Sequence, residues 1–248
     1  MDQTAPNLTT GWPWRMAALA LVALAGCRAV STGRNMDGVR YFQEGQYPVA
    51  LQRFDSALTI DSRNADAYYN KAAVFHRMGT QARDQSQLTQ AESLYRQALD
   101  INPNHVDAHR GLAVLLTETG RVDQAFQLLK TWAVTSPQNA EARVELARLY
   151  EEYGDPKSAV LYLNEALTIS GNNWRALAAL GRLREQEGDY KQALENYQRS
   201  LTYNRFQPQI EQRVAELRTR VSPTTAAAAA PAPGTSQSAA GPRPFLRY

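Results

Sequence analysis

The sequence predicts an all-α fold in which helix pairs repeat along the chain. Five alanines share one context, with a glycine upstream and an aromatic residue or a leucine four residues downstream: Ala50, Ala91, Ala125, Ala159 and Ala193. The last four of them are each 34 residues apart. A fixed period of this kind is typical of solenoids, in which each repeat packs only against its neighbours.

Helical periodicity is clearest in residues 140–173. Apolar side chains spaced for one helical face run from Val144 to Tyr150. Gly154 then predicts the end of this helix, because glycine readily adopts a positive φ. A second apolar series begins at Ala159. The pattern therefore predicts two helices joined by a tight turn.

These glycines, alanines and large apolar residues resemble the tetratricopeptide repeat, a helix-turn-helix family with a period of 34 residues. The resemblance covers roughly residues 31–220. It implies a right-handed α-solenoid of antiparallel helix pairs, each made of a helix A and a helix B. The expected repeats and the C-terminal capping helix are 31–64, 65–105, 106–139, 140–173 and 174–207, followed by the cap at 208–221.

The second repeat carries an insertion between Gly79 and Ala91, which lie 12 residues apart where the equivalent pairs elsewhere lie 5 apart. We expect helix B to begin earlier here, capped by Asp84 or Ser86. The glutamine-rich stretch 81–90 would then protrude. We interpret it as a tolerated surface insertion, and a contact specific to a partner is the alternative.

Two features of the repeats depart from the family pattern. Trp132 stands where a small residue is usual, which indicates either core packing, the favoured interpretation, or a side chain directed toward a partner. The first repeat begins with polar residues such as Arg34 and Asp37. We expect its first helix to be frayed there, as is common for a terminal repeat.

The N-terminal segment has the layout of a secretory signal peptide. A stretch of about ten residues from Met16 to Ala25, mostly alanine, leucine and valine, follows Arg15 and ends in small residues. A helix needs roughly 20 apolar residues to cross a bilayer. A cleaved signal peptide is therefore favoured over a membrane-spanning anchor.

The residues Leu-Ala-Gly-Cys that end at Cys27 resemble the lipobox of bacterial lipoproteins. The resemblance implies a signal peptide over 1–26, acyl chains on Cys27, and a short tether over 27–30. Two or more acyl chains give a firm membrane anchor. Arg28 stands where many inner-membrane lipoproteins carry aspartate, which implies the periplasmic face of the outer membrane. The alternatives are a free cysteine in an ordinary cleaved signal peptide and a buried cysteine in an uncleaved helix.

Composition and motifs exclude several classes of function. The chain has 27 Lys and Arg against 24 Asp and Glu, a formal charge of +3, so no nucleic-acid partner is expected. No phosphate loop, nucleophile motif or carboxylate pair stands out; we expect no enzymatic activity and no cofactor.

His105 and His109 lie four residues apart, but the repeat pattern places one in a turn and the other in a packing position. No metal site is expected.

In tetratricopeptide proteins helix A lines a concave groove that holds a segment of another protein. The resemblance places these candidate residues in the groove: Tyr69, Arg77, Arg110, Val114, Arg148, Arg175 and Arg182. Arginines bind carboxylates bidentately, and a tyrosine adds amphipathic contact area. The alternative is internal pairing of these arginines with Glu141, Glu151, Glu152 and Glu185.

The sequence therefore predicts a lipid-anchored scaffold for an envelope protein or peptide segment, similar to the pilotins that assist assembly of a pilus or secretion machine. An adaptor of cell-wall enzymes and an enzyme on a repeat scaffold are the other interpretations. Asn35 and Val39 depart from the chaperone-type carboxylate clamp of the family, which puts a C-terminal carboxylate ligand in doubt. The alanine- and proline-rich residues 222–248 predict a disordered tail.

Overall fold

A computed structural model of the chain describes residues 29–221. The predicted signal peptide, Cys27 and the tail at 222–248 lie outside the described residues. The described residues form eleven helices and no strand, and none of these helices is long and apolar enough to cross a membrane. The chain divides after Trp132 into an N-terminal half and a C-terminal half.

The N-terminal half consists of consecutive helix pairs. Its helices are α1 at 29–43, α2 at Tyr47–Ile60, α3 at Ala65–Ala82, α4 at Gln85–Ile101, α5 at Val106–Glu118 and most of α6 at Val122–Thr135. Helix α3 packs against α2, α4 and α5, and α4 also packs against α5. Helix A of one repeat thus contacts helix A of the next, which places side chains of α3 and α5 on adjoining surfaces.

The C-terminal half repeats the same arrangement. Its helices are α7 at Ala140–Glu152, α8 at Pro156–Ile169, α9 at Trp174–Gln186, α10 at Tyr190–Tyr203 and α11 at Pro208–Val221. Each helix from α7 to α11 packs against the next. Val214 and Leu217 of α11 are buried against Ala193 and Tyr197 of α10, so α11 covers the apolar face that the last helix pair would otherwise expose.

The predicted helix ends depend on glycine conformation. Gly45, Gly120, Gly154 and Gly188 have φ values of 75°, 76°, 77° and 83°, a region that residues with a Cβ adopt at a cost. The sequence prediction for Gly154 is confirmed. In the second repeat the equivalent conformation falls on Arg83, with φ 54°.

The insertion in the second repeat lengthens both of its helices. Helix α3 has 18 residues and α4 has 17, against 13 in α7 and 14 in α8. Asp84 is the N-cap of α4, and its side chain accepts a hydrogen bond from the Ser86 amide at 2.9 Å. Helix B begins earlier, as predicted from the sequence, and helix A also continues further than expected.

The first helix is ordered from residue 29, so the expectation of a frayed start is wrong. Its polar residues make specific bonds: the Ser31 hydroxyl donates to the Ala57 carbonyl at 3.0 Å, and Asn64 donates to Ser31 Oγ at 2.8 Å. Asn70 donates to Asn35 Oδ1 at 3.0 Å. Polarity at these positions therefore docks the helix. Residues 29 and 30, expected to be tether, are helical.

Candidate functional site

The predicted groove residues lie on helices A of both halves. Tyr69 and Arg77 belong to α3 and Arg110 and Val114 to α5, in the N-terminal half. In the C-terminal half Arg148 lies on α7, and α9 carries Arg175 and Arg182. The surface formed by α3 and α5 is called the N-terminal face below, and that formed by α7, α9 and α11 the C-terminal face.

Tyr69 is the aromatic centre of the N-terminal face. The half-buried ring lies 6.0 Å from the Tyr95 ring and 5.2 Å from the His105 ring, measured between centroids. Burial raises the pKa of Tyr69, and the nearby Asp107 carboxylate raises it further. The phenol is therefore neutral at physiological pH and keeps a hydroxyl donor on this face.

Two arginines of the N-terminal face differ in their bonding. Arg77 is exposed, and its side chain makes no hydrogen bond or ion pair with another residue in 29–221. Arg110 Nη1 lies 3.2 Å from Asp107 Oδ1 on the same helix, and the Asp107 side chain is 51% exposed. The Arg110 side chain itself is only 21% exposed. The Arg77 guanidinium is thus available to an external carboxylate at low cost.

His76 joins α3 to α5. Its Nε2 lies 3.0 Å from Glu118 Oε2 and its Nδ1 lies 3.3 Å from the Tyr95 hydroxyl. Thr80 donates to the same Glu118 oxygen at 3.2 Å. This contact could not be predicted from the sequence, because a lone histidine on a helix carries no spacing signal. It fixes the spacing of the two helices beside Arg77.

His105 is the N-cap of α5. Its Nδ1 accepts a hydrogen bond from the Ala108 amide at 3.2 Å, so Nε2 carries the proton and points at Asp66 Oδ1, 3.0 Å away. This hydrogen bond is the main reason that the pKa of Asp66 lies below its usual value. His105 therefore links the start of α5 to the start of α3.

His109 packs in the core of the N-terminal half. Its Nε2 is 3.0 Å from the Pro103 carbonyl, and its ring stacks on Trp132, which is 2% exposed. The prediction that Trp132 belongs to the core is confirmed. No group of three or more His, Cys, Asp or Glu side chains that could hold a metal ion occurs in the described part of the chain.

The C-terminal face is cross-linked by ion pairs between successive A helices. Arg175 Nη1 donates to Glu141 Oε2 at 2.8 Å. Arg182 binds Glu151 with both terminal nitrogens, and the Nη2 to Oε2 distance is 2.7 Å. In each pair the carboxylate lies on α7 and the guanidinium on α9.

The same pattern continues to the capping helix. Arg213 of α11 donates to both carboxylate oxygens of Glu185 on α9, with Nε 3.2 Å from Oε2. The internal pairing considered as an alternative is therefore present for Glu141 and Glu151, and also for Glu152, which binds Arg148, whereas Glu185 binds Arg213 of the cap.

Arg148 also has its partners within the C-terminal half. Its Nε donates to Glu145 at 3.2 Å and its Nη1 donates to Glu152 at 2.9 Å. The Glu145 side chain is fully buried and the Arg148 side chain is only 15% exposed. A buried carboxylate needs such a partner, because removing its ion pair costs several kcal/mol. Arg148 is thus held by the structure of α7 itself.

Comparison with known families identifies the repeats. Tetratricopeptide repeat families match four segments, at residues 38–79, 82–134, 140–173 and 176–209. Together these segments cover more than half of the chain. No curated protein matches the sequence significantly.

Solved structures with the same fold include two bacterial proteins. The thermophilic tetratricopeptide repeat protein TTC0263 of Thermus thermophilus is 20% identical, with a TM-score of 0.57 over 76% of this chain and 99% of that one. The pilF protein of Pseudomonas aeruginosa is 19% identical, with a TM-score of 0.52 over 79% and 91% of the two chains. Identities this low establish the fold alone, and the predicted all-α solenoid class is confirmed.

Proposed function

Since the chain is built from tetratricopeptide repeats, we propose that it is a scaffold that binds a segment of another protein at the bacterial cell envelope, anchored by lipid on Cys27. The observation that carries the proposal is the N-terminal face. It presents an aromatic ring at Tyr69 and an apolar side chain at Val114 on two adjoining helices. It also carries two cations, of which Arg77 is exposed and Arg110 is paired with Asp107.

The chemistry of this face defines the segment that it fits. Arg77 offers an exposed guanidinium without an internal carboxylate, and Arg110, paired with Asp107, adds a cation on the adjoining helix. Tyr69 and Val114 supply apolar contact area between these charges, and the tyrosine hydroxyl donates a hydrogen bond. The fitting partner is therefore a chain segment that combines carboxylates with an apolar or aromatic side chain.

The C-terminal face is less suited to the same partner. Arg175 and Arg182 are already bound to Glu141 and Glu151, and Arg148 compensates the buried charge of Glu145. A carboxylate of a partner would have to displace an internal one with equivalent geometry, so the exchange gains little. We assign the C-terminal face to holding successive helices in place, and the N-terminal face to recognition.

The envelope location rests on the sequence that ends at Cys27. Its resemblance to a lipobox supports export, acylation and the periplasmic face of the outer membrane. Help in the assembly of a pilus or secretion machine is the specific form of this proposal, because a lipid-anchored scaffold that holds an envelope protein would deliver it to that membrane. An adaptor of cell-wall enzymes would use the same face for a different partner.

The recognition face is tested by exchange of one exposed arginine. The full-length protein with Arg77→Glu is compared with wild type in affinity capture from envelope extracts, followed by mass spectrometry. Arg199→Glu on α10 is the matched control, because the Arg199 side chain is also exposed and also makes no hydrogen bond or ion pair with another residue in 29–221. We expect Arg77→Glu to lose partners that Arg199→Glu retains. Identical partner sets for all three proteins would exclude the N-terminal face as the recognition surface.

The partner class follows from the same experiment. Recovery of pilus or secretion subunits supports the assembly role, and recovery of peptidoglycan hydrolases or synthases supports the adaptor role. The anchor has a separate test in Cys27→Ala, which should no longer incorporate labelled palmitate and should leave the membrane fraction. Retention of both properties by Cys27→Ala would disprove the lipid anchor without affecting the recognition face.

A further inference from the structure

The outward surface of α1 is uncovered within the described residues and mixes apolar and basic side chains. Val30 is 53% exposed and Met36 is 67% exposed. Arg34 is exposed, and the Arg40 side chain is 61% exposed. The opposite surface of the helix, with Ser31, Asn35 and Gly38, is buried. The exposed side is called the α1 outer face.

Charge on the α1 outer face is net positive. Asp37 is the acidic residue there, and its carboxylate lies 3.7 Å from Arg40 Nη2. Arg34 has no such neighbour among residues 29–221. Arginines beside exposed aliphatic side chains are the combination by which helices lie in a membrane interface, where cations meet anionic headgroups and apolar groups reach the acyl boundary.

The position of α1 in the chain brings this face close to the proposed anchor. The helix is already formed at Ala29, two residues after Cys27. Two residues of extended chain span at most about 7 Å. Acyl chains on Cys27 would therefore hold the first turn of α1 within headgroup distance of the bilayer.

We propose that the α1 outer face lies on the bilayer surface, with Arg34 and Arg40 on anionic headgroups and Val30 and Met36 in the interface. This inference rests on the proposed lipid anchor, and adds a second contact to it. The lipid anchor alone would not fix the orientation of the protein relative to the membrane. With α1 seated, the repeats have a defined orientation to the membrane.

The test uses the cysteine content of the chain. Cys27 is the single cysteine, and acylation consumes its thiol, so a Met36→Cys variant of the acylated protein carries one reactive thiol. It is labelled with an environment-sensitive fluorophore and reconstituted into vesicles that contain anionic lipid and a headgroup-level quencher. Gln90→Cys, at an exposed position on α4, is the matched control.

We expect strong loss of fluorescence for the Met36 label and little loss for the Gln90 label. The double variant Arg34→Glu with Arg40→Glu should reduce quenching at Met36 in anionic vesicles. Equal, weak quenching of both labels in a protein shown by mass spectrometry to be acylated and vesicle-bound would overturn the seating of α1 and leave the anchor intact. Absence of acyl mass on Cys27 would overturn both.

Discussion

His109 and Trp132 stack as nearly parallel rings, with centroids 4.0 Å apart and 9° between their planes. The indole Nε1 donates to Asn104 Oδ1 at 3.0 Å. A large residue at a position that is usually small is thus accommodated by a flat imidazole in the same repeat and by an amide in the turn before it.

Trp132→Ala should therefore destabilise the N-terminal half strongly. Removal of a fully buried tryptophan costs about 3 to 5 kcal/mol through lost burial and the cavity left behind. Urea unfolding followed by circular dichroism measures the change. Trp132→Phe, which keeps a stacked ring and loses the hydrogen bond to Asn104, should lose less. A change below about 1 kcal/mol for Trp132→Ala would contradict the core assignment.

Two glycines of α1 should respond to alanine in opposite directions. A Cβ on Gly38 would lie 2.7 Å from Phe54 Cδ1, whereas a Cβ on Gly33 meets nothing within 4 Å. Gly38→Ala should destabilise by about 1 to 3 kcal/mol through overpacking, and Gly33→Ala should stabilise by about 0.5 to 1 kcal/mol through helix propensity. Thermal unfolding of both variants makes the comparison, and equal effects would contradict the close approach of α1 to α2.

The hydroxyl of Ser31 tests whether α1 is docked by polar contacts. Ser31→Ala removes a buried hydroxyl that donates to the Ala57 carbonyl and accepts a hydrogen bond from the Asn64 amide, at a cost of about 1 to 3 kcal/mol. Ser56→Ala is the control, because the Ser56 hydroxyl bonds only within its own exposed helical turn. Hydrogen exchange of α1 amides should accelerate for Ser31→Ala alone. Unchanged exchange would disprove the docking role.

The pair Asp66 and His105 predicts an acid-sensitive contribution to stability. The hydrogen bond from His105 lowers the pKa of Asp66 in the folded state. The contribution is therefore fully present above the ordinary aspartate pKa and is lost as the pH falls through the lowered value. Asp66→Asn should flatten this part of the curve of unfolding free energy against pH. Asp100→Asn, at an exposed aspartate of α4, should retain the wild-type slope.

The repeats could be predicted from the sequence because their turns and core positions depend on small, recurring residues. Gly154 has the positive φ expected of it, and Ala159 and Leu163 are buried. Contacts between repeats could not be predicted, because they join polar side chains whose spacing in the sequence varies. Examples are His76 with Glu118 and Arg182 with Glu151. From the sequence alone, these residue types indicate a solvent-exposed helix face.

The error at α1 has the same origin. Polar residues such as Arg34 and Asp37 indicated a frayed end, but Ser31 and Asn35 of the same helix find polar partners in Asn64 and Asn70. Polarity alone does not distinguish a solvent-exposed position from one that bonds to a neighbouring repeat. For the candidate groove, the sequence predicted which helices carry the arginines, and left open which of them are already paired.

The ion pairs of the C-terminal face also make the order of its helices matter. Helix α9 supplies cations to α7 through Arg175 and Arg182, and a carboxylate to α11 through Glu185. Deletion of the fifth repeat would remove Arg175 and Arg182, and so would leave Glu141 and Glu151 of α7 without their partners. These repeats are consequently not interchangeable modules, and gain or loss of a whole repeat during evolution would require compensating changes of charge on both sides of the junction.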